Sequence, residues 1–110
     1  MSSIKDRLNR SIRFTNDVLI IQENHPEFAF SGFNEIVITT LQSPEIIVVS
    51  SSDETVELFY KYFLNTPVGN KWLCIVIKNL ETDFFVITYI IQIQLKKEGN
   101  YGKKYNRIFR

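Results

Sequence analysis

A single cysteine and a single histidine stand among 110 residues, and this scarcity excludes whole classes of chemistry. One of each cannot assemble a standard zinc site, and neither lies at a ligand spacing. Cys74, alone inside an apolar run, has no disulfide partner and reads as a small buried side chain in a reducing compartment. Four glycines, none in a glycine-rich phosphate loop, argue against the nucleotide-binding folds. No nucleophile-elbow pattern supports a Ser–His–Asp triad. No metal or cofactor is expected. The apolar runs are too short to span a bilayer as helices, and Met1 to Arg13 is polar, without signal-peptide character. The expectation is a soluble cytoplasmic protein that does not contact a membrane.

What is present describes a folded chain. A hydrophobic fraction of 45% and an aromatic fraction of 14% exclude wholesale disorder. The length suits one domain, residues 1–110, with a core that needs no staples. The net charge of +1 conceals an asymmetry. Lys5, Arg7, Arg10 and Arg13 against Asp6 put residues 1–13 at about +3. The C-terminal tail, residues 96–110, carries about +5, and the body between is about −7. In the tail Lys96, Lys97, Lys103 and Lys104 alternate with Tyr101, Tyr105 and Phe109. Cations mixed with stacking surface suit single-stranded nucleic acid. The ordinary alternative is a solvated, frayed tail.

Ile12–Phe14 reads as a short strand or an extended lead-in. Thr15 then caps a helix over about Asn16 to Asn24, with Asp17 in its first turn and Pro26 stopping it. A second helix starts after Ser31 and runs to about Leu41, because Phe33, Ile36, Val37 and Leu41 share one helical face. Ser43-Pro44 ends it. Four runs rich in β-branched and aromatic residues follow: 45–50, 56–63, 71–78 and 84–94. The predicted fold is α+β, two N-terminal helices packed on a four-stranded antiparallel meander.

In the last run and just past it, Phe85, Ile87, Tyr89, Ile91, Ile93 and Leu95 form the row expected beneath the helices. Phe84, Val86, Thr88, Ile90, Gln92 and Gln94 form an open row. Trp72, Cys74, Val76 and Lys78 share parity in the preceding strand. If the hairpin register points them the same way, Trp72, Lys78, Thr88 and Gln92 line one shallow groove. Otherwise Lys78 is the edge cation of an ordinary half-exposed sheet.

Several motifs, in their order, resemble a known family. They are His25-Pro26-Glu27, Leu41-Gln-Ser-Pro-Glu45, Val49-Ser50 with Asp53 after it, and Tyr60 in its aromatic strand. Then come Gly69 through Lys78, Phe85-Val-Ile-Thr88, and the close Lys96-Lys-Glu-Gly99. Over about Ile12 to Gly99 the chain resembles small proteins of the barnase–EndoU–colicin–RelE-like nuclease superfamily. The resemblance implies a metal-independent ribonuclease, many such proteins being toxins, with N-terminal helices on an antiparallel sheet. RNA and a cognate inhibitor protein are the partners it implies. The family's histidine-proline-glutamate motif falls on His25, Pro26 and Glu27, its strand lysine on Lys78 and its strand threonine on Thr88. The place of a further helix histidine falls near Ile20, and Tyr89-Ile90 stand where the family has a small residue and a tyrosine. The alternative is therefore a catalytically inactive RNA- or protein-binding module, a homodimer through an exposed strand edge being one form of it.

Metal-free RNA cleavage needs a proton acceptor, a proton donor and cations for the developing phosphorane charge. His25 is the residue type that carries protons near neutral pH, and Glu27 is placed to orient it. Lys78 and Arg13 would supply positive charge and Thr88 a phosphate hydrogen bond. Each also has a plain structural reading. His25 suits a helix end, Glu27 a first helical turn, Arg13 a solvated cation, and Thr88 any strand.

Overall fold

β-branched and aromatic residues dominate 56–63, 71–78 and 84–92, and these runs build the centre of the sheet. The computed structural model describes residues 3–15, 32–67, 69–92 and 106–109, the last four by their backbone alone. The strands are β1 (Ser3–Lys5), β2 (Ser11–Phe14), β3 (Ile46–Val49), β4 (Val56–Thr66), β5 (Gly69–Asn79), β6 (Phe84–Gln92) and β7 (Asn106–Phe109). They form one seven-stranded sheet in the order β1-β2-β6-β5-β4-β3-β7. Every neighbouring pair is antiparallel except β2 and β6, which run parallel.

This corrects the expected architecture. The chain is α+β in the coarse sense, but the four-stranded antiparallel meander is a seven-stranded mixed sheet. Among the described residues there is one helix, α1 (Phe33–Gln42). The helix expected over 16–24 lies outside them. The meander β3-β4-β5-β6 is present. What widens it are short strands that no apolar run announces: Ser3-Ile-Lys5 and Asn106-Arg-Ile-Phe109. Among the described residues no helix is long and apolar enough to cross a membrane.

α1 begins at Gly32, whose φ of 92° makes the left-handed entry. Its β-branched residues are weak helix formers, and two of them bond back to the preceding turn. Thr39 Oγ1 donates to the Glu35 carbonyl and Thr40 Oγ1 to that of Ile36, at 2.8 and 2.7 Å. Phe33, Val37 and Leu41 bury one stripe against Ile12, Ile47, Phe59, Leu73, Ile75, Ile77, Val86 and Tyr89. Phe33 meets Tyr89 edge-on, ring centroids 5.3 Å apart. Burial pushes the Tyr89 hydroxyl well above its ordinary pKa.

The opposite face of the sheet, here called the far face, is also apolar at its centre. Val48, Leu58, Tyr60, Cys74 and Val76 are buried there, with Ile46, Val56, Trp72 and Ile90 packed around them. Strands buried on both faces lose the alternation of a one-sided sheet, which explains the near-continuous apolar runs. The Cys74 thiol is fully buried and its pKa is pushed up to about 12 by that burial. It should therefore resist aromatic disulfide reagents in the folded protein and react as fast as the chain unfolds. Rapid stoichiometric labelling under native conditions would contradict this placement.

A β-bulge reassigns the rows of β6. Val76 pairs with Thr88, but Ile77 pairs with Val86, so Ile87 is the extra residue. Thr88, Ile90 and Gln92 lie on the far face as expected, and Tyr89 and Ile91 on the helix face. Before the bulge the rows exchange. Phe84 and Val86 join the helix-side core, and Phe85 moves to the far face opposite Lys78.

Candidate functional site

The far face carries two separate groups of the residues singled out above. At one end the parallel pairing of β2 with β6 sets Arg13 beside Phe85, and Phe85 pairs in turn with Lys78 on β5. At the other end Tyr62, Trp72 and Gln92 form a cross-strand row on β4, β5 and β6. Trp72 and Lys78 share a face, as the groove reading required. Six residues separate them, about 20 Å along a strand, and buried Cys74 and Val76 fill the interval. They cannot grip the same phosphate. Thr88 lies opposite Val76 between the two ends, its hydroxyl 3.4 Å from its neighbour Tyr89's carbonyl oxygen.

The charged end is neutralised within the chain. Arg13 makes a two-pronged bond to Asp83, Nε to Oδ1 at 2.8 Å and Nη2 to Oδ2 at 2.9 Å, and lies 4.7 Å over the Phe85 ring. The guanidinium holds the Asp83 carboxyl below its ordinary range. Lys78 Nζ donates to Asp53 Oδ2 at 3.1 Å. Asp53 also accepts from the Thr55 hydroxyl and backbone N–H, at 2.6 and 2.9 Å. The Thr55 hydroxyl, then its N–H, then Lys78 bring the Asp53 pKa down to about 2. Next to this ion pair is a pocket of about 390 Å³ lined by Glu54, Thr55, Asn79, Leu80 and Glu81. Its two carboxylates disfavour an anionic occupant.

The aromatic end is different. Tyr62 and Trp72 rings pack at 5.3 Å and 51°. Tyr62 is 36% exposed and Leu64, next on the same side of β4, is 65% exposed. Asn65 takes a left-handed φ of 58° and its N–H donates to Asn70 Oδ1 at 2.8 Å, which closes the β4–β5 hairpin. This end of the sheet displays uncharged, partly apolar surface.

A third polar group is structural. Glu57 on β4 lies under the helix side of the sheet, where Arg10 Nη1 and Nη2 reach its two oxygens at 3.2 and 2.7 Å. Arg10 also bonds Asp6 Oδ2 through Nε and Nη2, at 2.9 and 2.8 Å. Asn79 Nδ2 donates to Glu57 Oε2 at 2.8 Å. Burial works against the Arg10 charge, yet bonds to Glu57 and Asp6 outweigh it and raise its pKa. Asp6 Oδ1 takes the N–H groups of Leu8 and Arg10, which ties the cluster to the β1–β2 turn.

His25 and Glu27 lie outside the described residues, as do Lys96, Lys97, Tyr101, Lys103 and Lys104. Among the described residues no group of three or more His, Cys, Asp or Glu side chains is placed to hold a metal ion. The partners Asp83 and Asp53, the exposed pair Tyr62 and Leu64, and the Arg10 cluster did not emerge from sequence. Only the shared parity of Tyr60, Tyr62 and Leu64 signalled any of them. Compared with protein-family models, with curated proteins and with solved structures, the chain matches none. The likeness to the nuclease superfamily therefore rests on the quoted residues alone.

Proposed function

We propose that the protein is a non-catalytic interaction module that binds a protein partner through the hairpin end of the far face. The observation that carries this reading is the pairing of Arg13 with Asp83 and of Lys78 with Asp53. Both cations expected to meet phosphate already hold carboxylates. To engage RNA they would have to give up those bonds beside an acidic pocket. Tyr62 and Leu64, in contrast, present exposed, uncharged side chains. Exposed aromatic and aliphatic side chains beside a buried sheet suit a protein surface.

Single-stranded RNA binding, titrated over a range of salt, tests the reading. Trp72→Ala and Lys78→Ala should bind RNA as the wild type does, whatever the basic tail contributes. A loss of affinity in both folded variants would place RNA on the sheet and overturn it. A base stacked on Trp72 would be worth about 1–3 kcal/mol, well within reach of such a titration.

A further inference from the structure

The seven strands are not joined equally. Among the described strands β1 pairs only with β2, and β2 meets the rest of the sheet only along Ile12–Phe14, beside Phe84–Val86 of β6. Of the buried helix-side core, Ile12 alone comes from this hairpin, with Ile4 and Phe14 partly buried against it. The buried residues of the far face all come from β3, β4 and β5. Little apolar burial therefore holds β1 and β2 in place. Charge contributes more. Arg10 reaches from the hairpin to Glu57 on β4, and Arg13 reaches to Asp83 just before β6. The cations stand on the hairpin and the carboxylates on the body, so the basic start of the sequence meets its acidic middle here. One backbone bond, from the Arg7 N–H to the Leu41 carbonyl at 2.8 Å, ties the β1–β2 turn to α1.

We propose that β1 and β2 form an acid-released hairpin, which leaves the sheet as a unit while α1 and β3 to β6 stay folded. Protonation of Glu57 and Asp83 removes both ion ties across the seam and leaves the apolar core untouched. Glu57 faces Arg10 from the hairpin and uncharged Asn79 from β5. α1, packed on the same side, has a single charged residue, Glu35, exposed in its first turn. Asp83 faces Arg13, and nearby Lys78 is held by Asp53. Asp6 belongs to the hairpin, so its bond to Arg10 travels with it. Because Arg13 lowers the Asp83 pKa, that tie is intact above the ordinary carboxylate range and is lost as pH falls through the lowered value. Release bares the backbone edge of Phe84–Val86, which β2 covers at neutral pH, and so opens a strand-pairing edge only in acid.

Amide hydrogen exchange of the full chain at neutral pH, each amide followed separately by NMR, tests this with wild type, Asp83→Asn and Glu57→Gln/Asp83→Asn. The two amide side chains copy neutral acids without acid. In the double variant the bonded amides of β1 and β2 should lose about a hundredfold in protection, with no change at Leu73, Cys74 and Ile75 of β5. Asp83→Asn alone alters an exposed pair and should cost the hairpin about two- to fivefold. Wild type should reproduce the pattern of the double variant on acidification. Equal losses in the hairpin and in β5 would overturn the proposal, because the hairpin would then open only with the whole fold. Unchanged protection of β2 in the double variant would overturn it too, because the ion ties would not be what holds the hairpin.

Discussion

Arg10→Ala lowers the stability of the fold by about 3–5 kcal/mol, the range for removing one partner from a buried ion cluster. Arg10 bridges two carboxylates, and the side chains of Asp6 and Glu57 are 0% and 5% exposed. Without the guanidinium both acids remain buried, and Glu57 keeps only the Asn79 amide among the bonds described above. Arg10 also lies 4.9 Å over the Phe84 ring, so its loss removes a packed surface as well as a charge. Arg10→Lys should recover only part of the stability, because one ammonium cannot span both carboxylates in the forked geometry. Urea unfolding measures both, and a double-mutant cycle with Glu57→Ala isolates the coupling, expected at about 0.5–3 kcal/mol. A loss below about 1 kcal/mol for Arg10→Ala would mean that the cluster is solvated rather than buried.

Phe33→Ala should cost a similar amount, about 3–5 kcal/mol, by a different mechanism. Phe33 opens α1, is 1% exposed and meets Tyr89 in the centre of β6. Truncation leaves a void between helix and sheet and also deletes the edge-on ring contact. The helix has weak intrinsic propensity through Val37, Ile38, Thr39 and Thr40, so packing rather than propensity keeps it formed. Gln42→Ala, on the exposed end of the same helix, should change stability by no more than about 0.5 kcal/mol. Equal effects of the two substitutions would contradict the docking of α1 on this sheet.

The elements that were legible in the sequence are those whose periodicity is strong. The 33–42 helix follows from Phe33, Val37 and Leu41, and β3 to β6 follow from their β-branched runs. β1 and β7 were not, because Ser3-Ile-Lys5 and Asn106-Arg-Ile-Phe109 are too short and polar to stand out from a charged terminus. Their place is set by partners distant in sequence. The parallel pairing of Ile12–Phe14 with Phe84–Val86 has no local signature either. The bulge at Ile87 shows why face assignment is fragile: one extra residue turned Phe84 and Val86 inward and Phe85 outward. The site was legible only by residue type. Arg13 and Lys78 are both cations on the far face, but 70 residues separate Arg13 from Asp83 and 25 separate Asp53 from Lys78. Nothing local announces those pairs, and they change what the face can bind.

The central expectation is that the protein leaves RNA uncleaved. The direct measurement is incubation of the purified chain with total RNA and tRNA in EDTA, beside His25→Ala and Lys78→Ala. The RNA should remain intact in every sample, because the Lys78 ammonium is held by Asp53. Discrete cleavage by the wild type, lost in both folded variants, would contradict the interaction-module reading and make the protein a metal-independent ribonuclease.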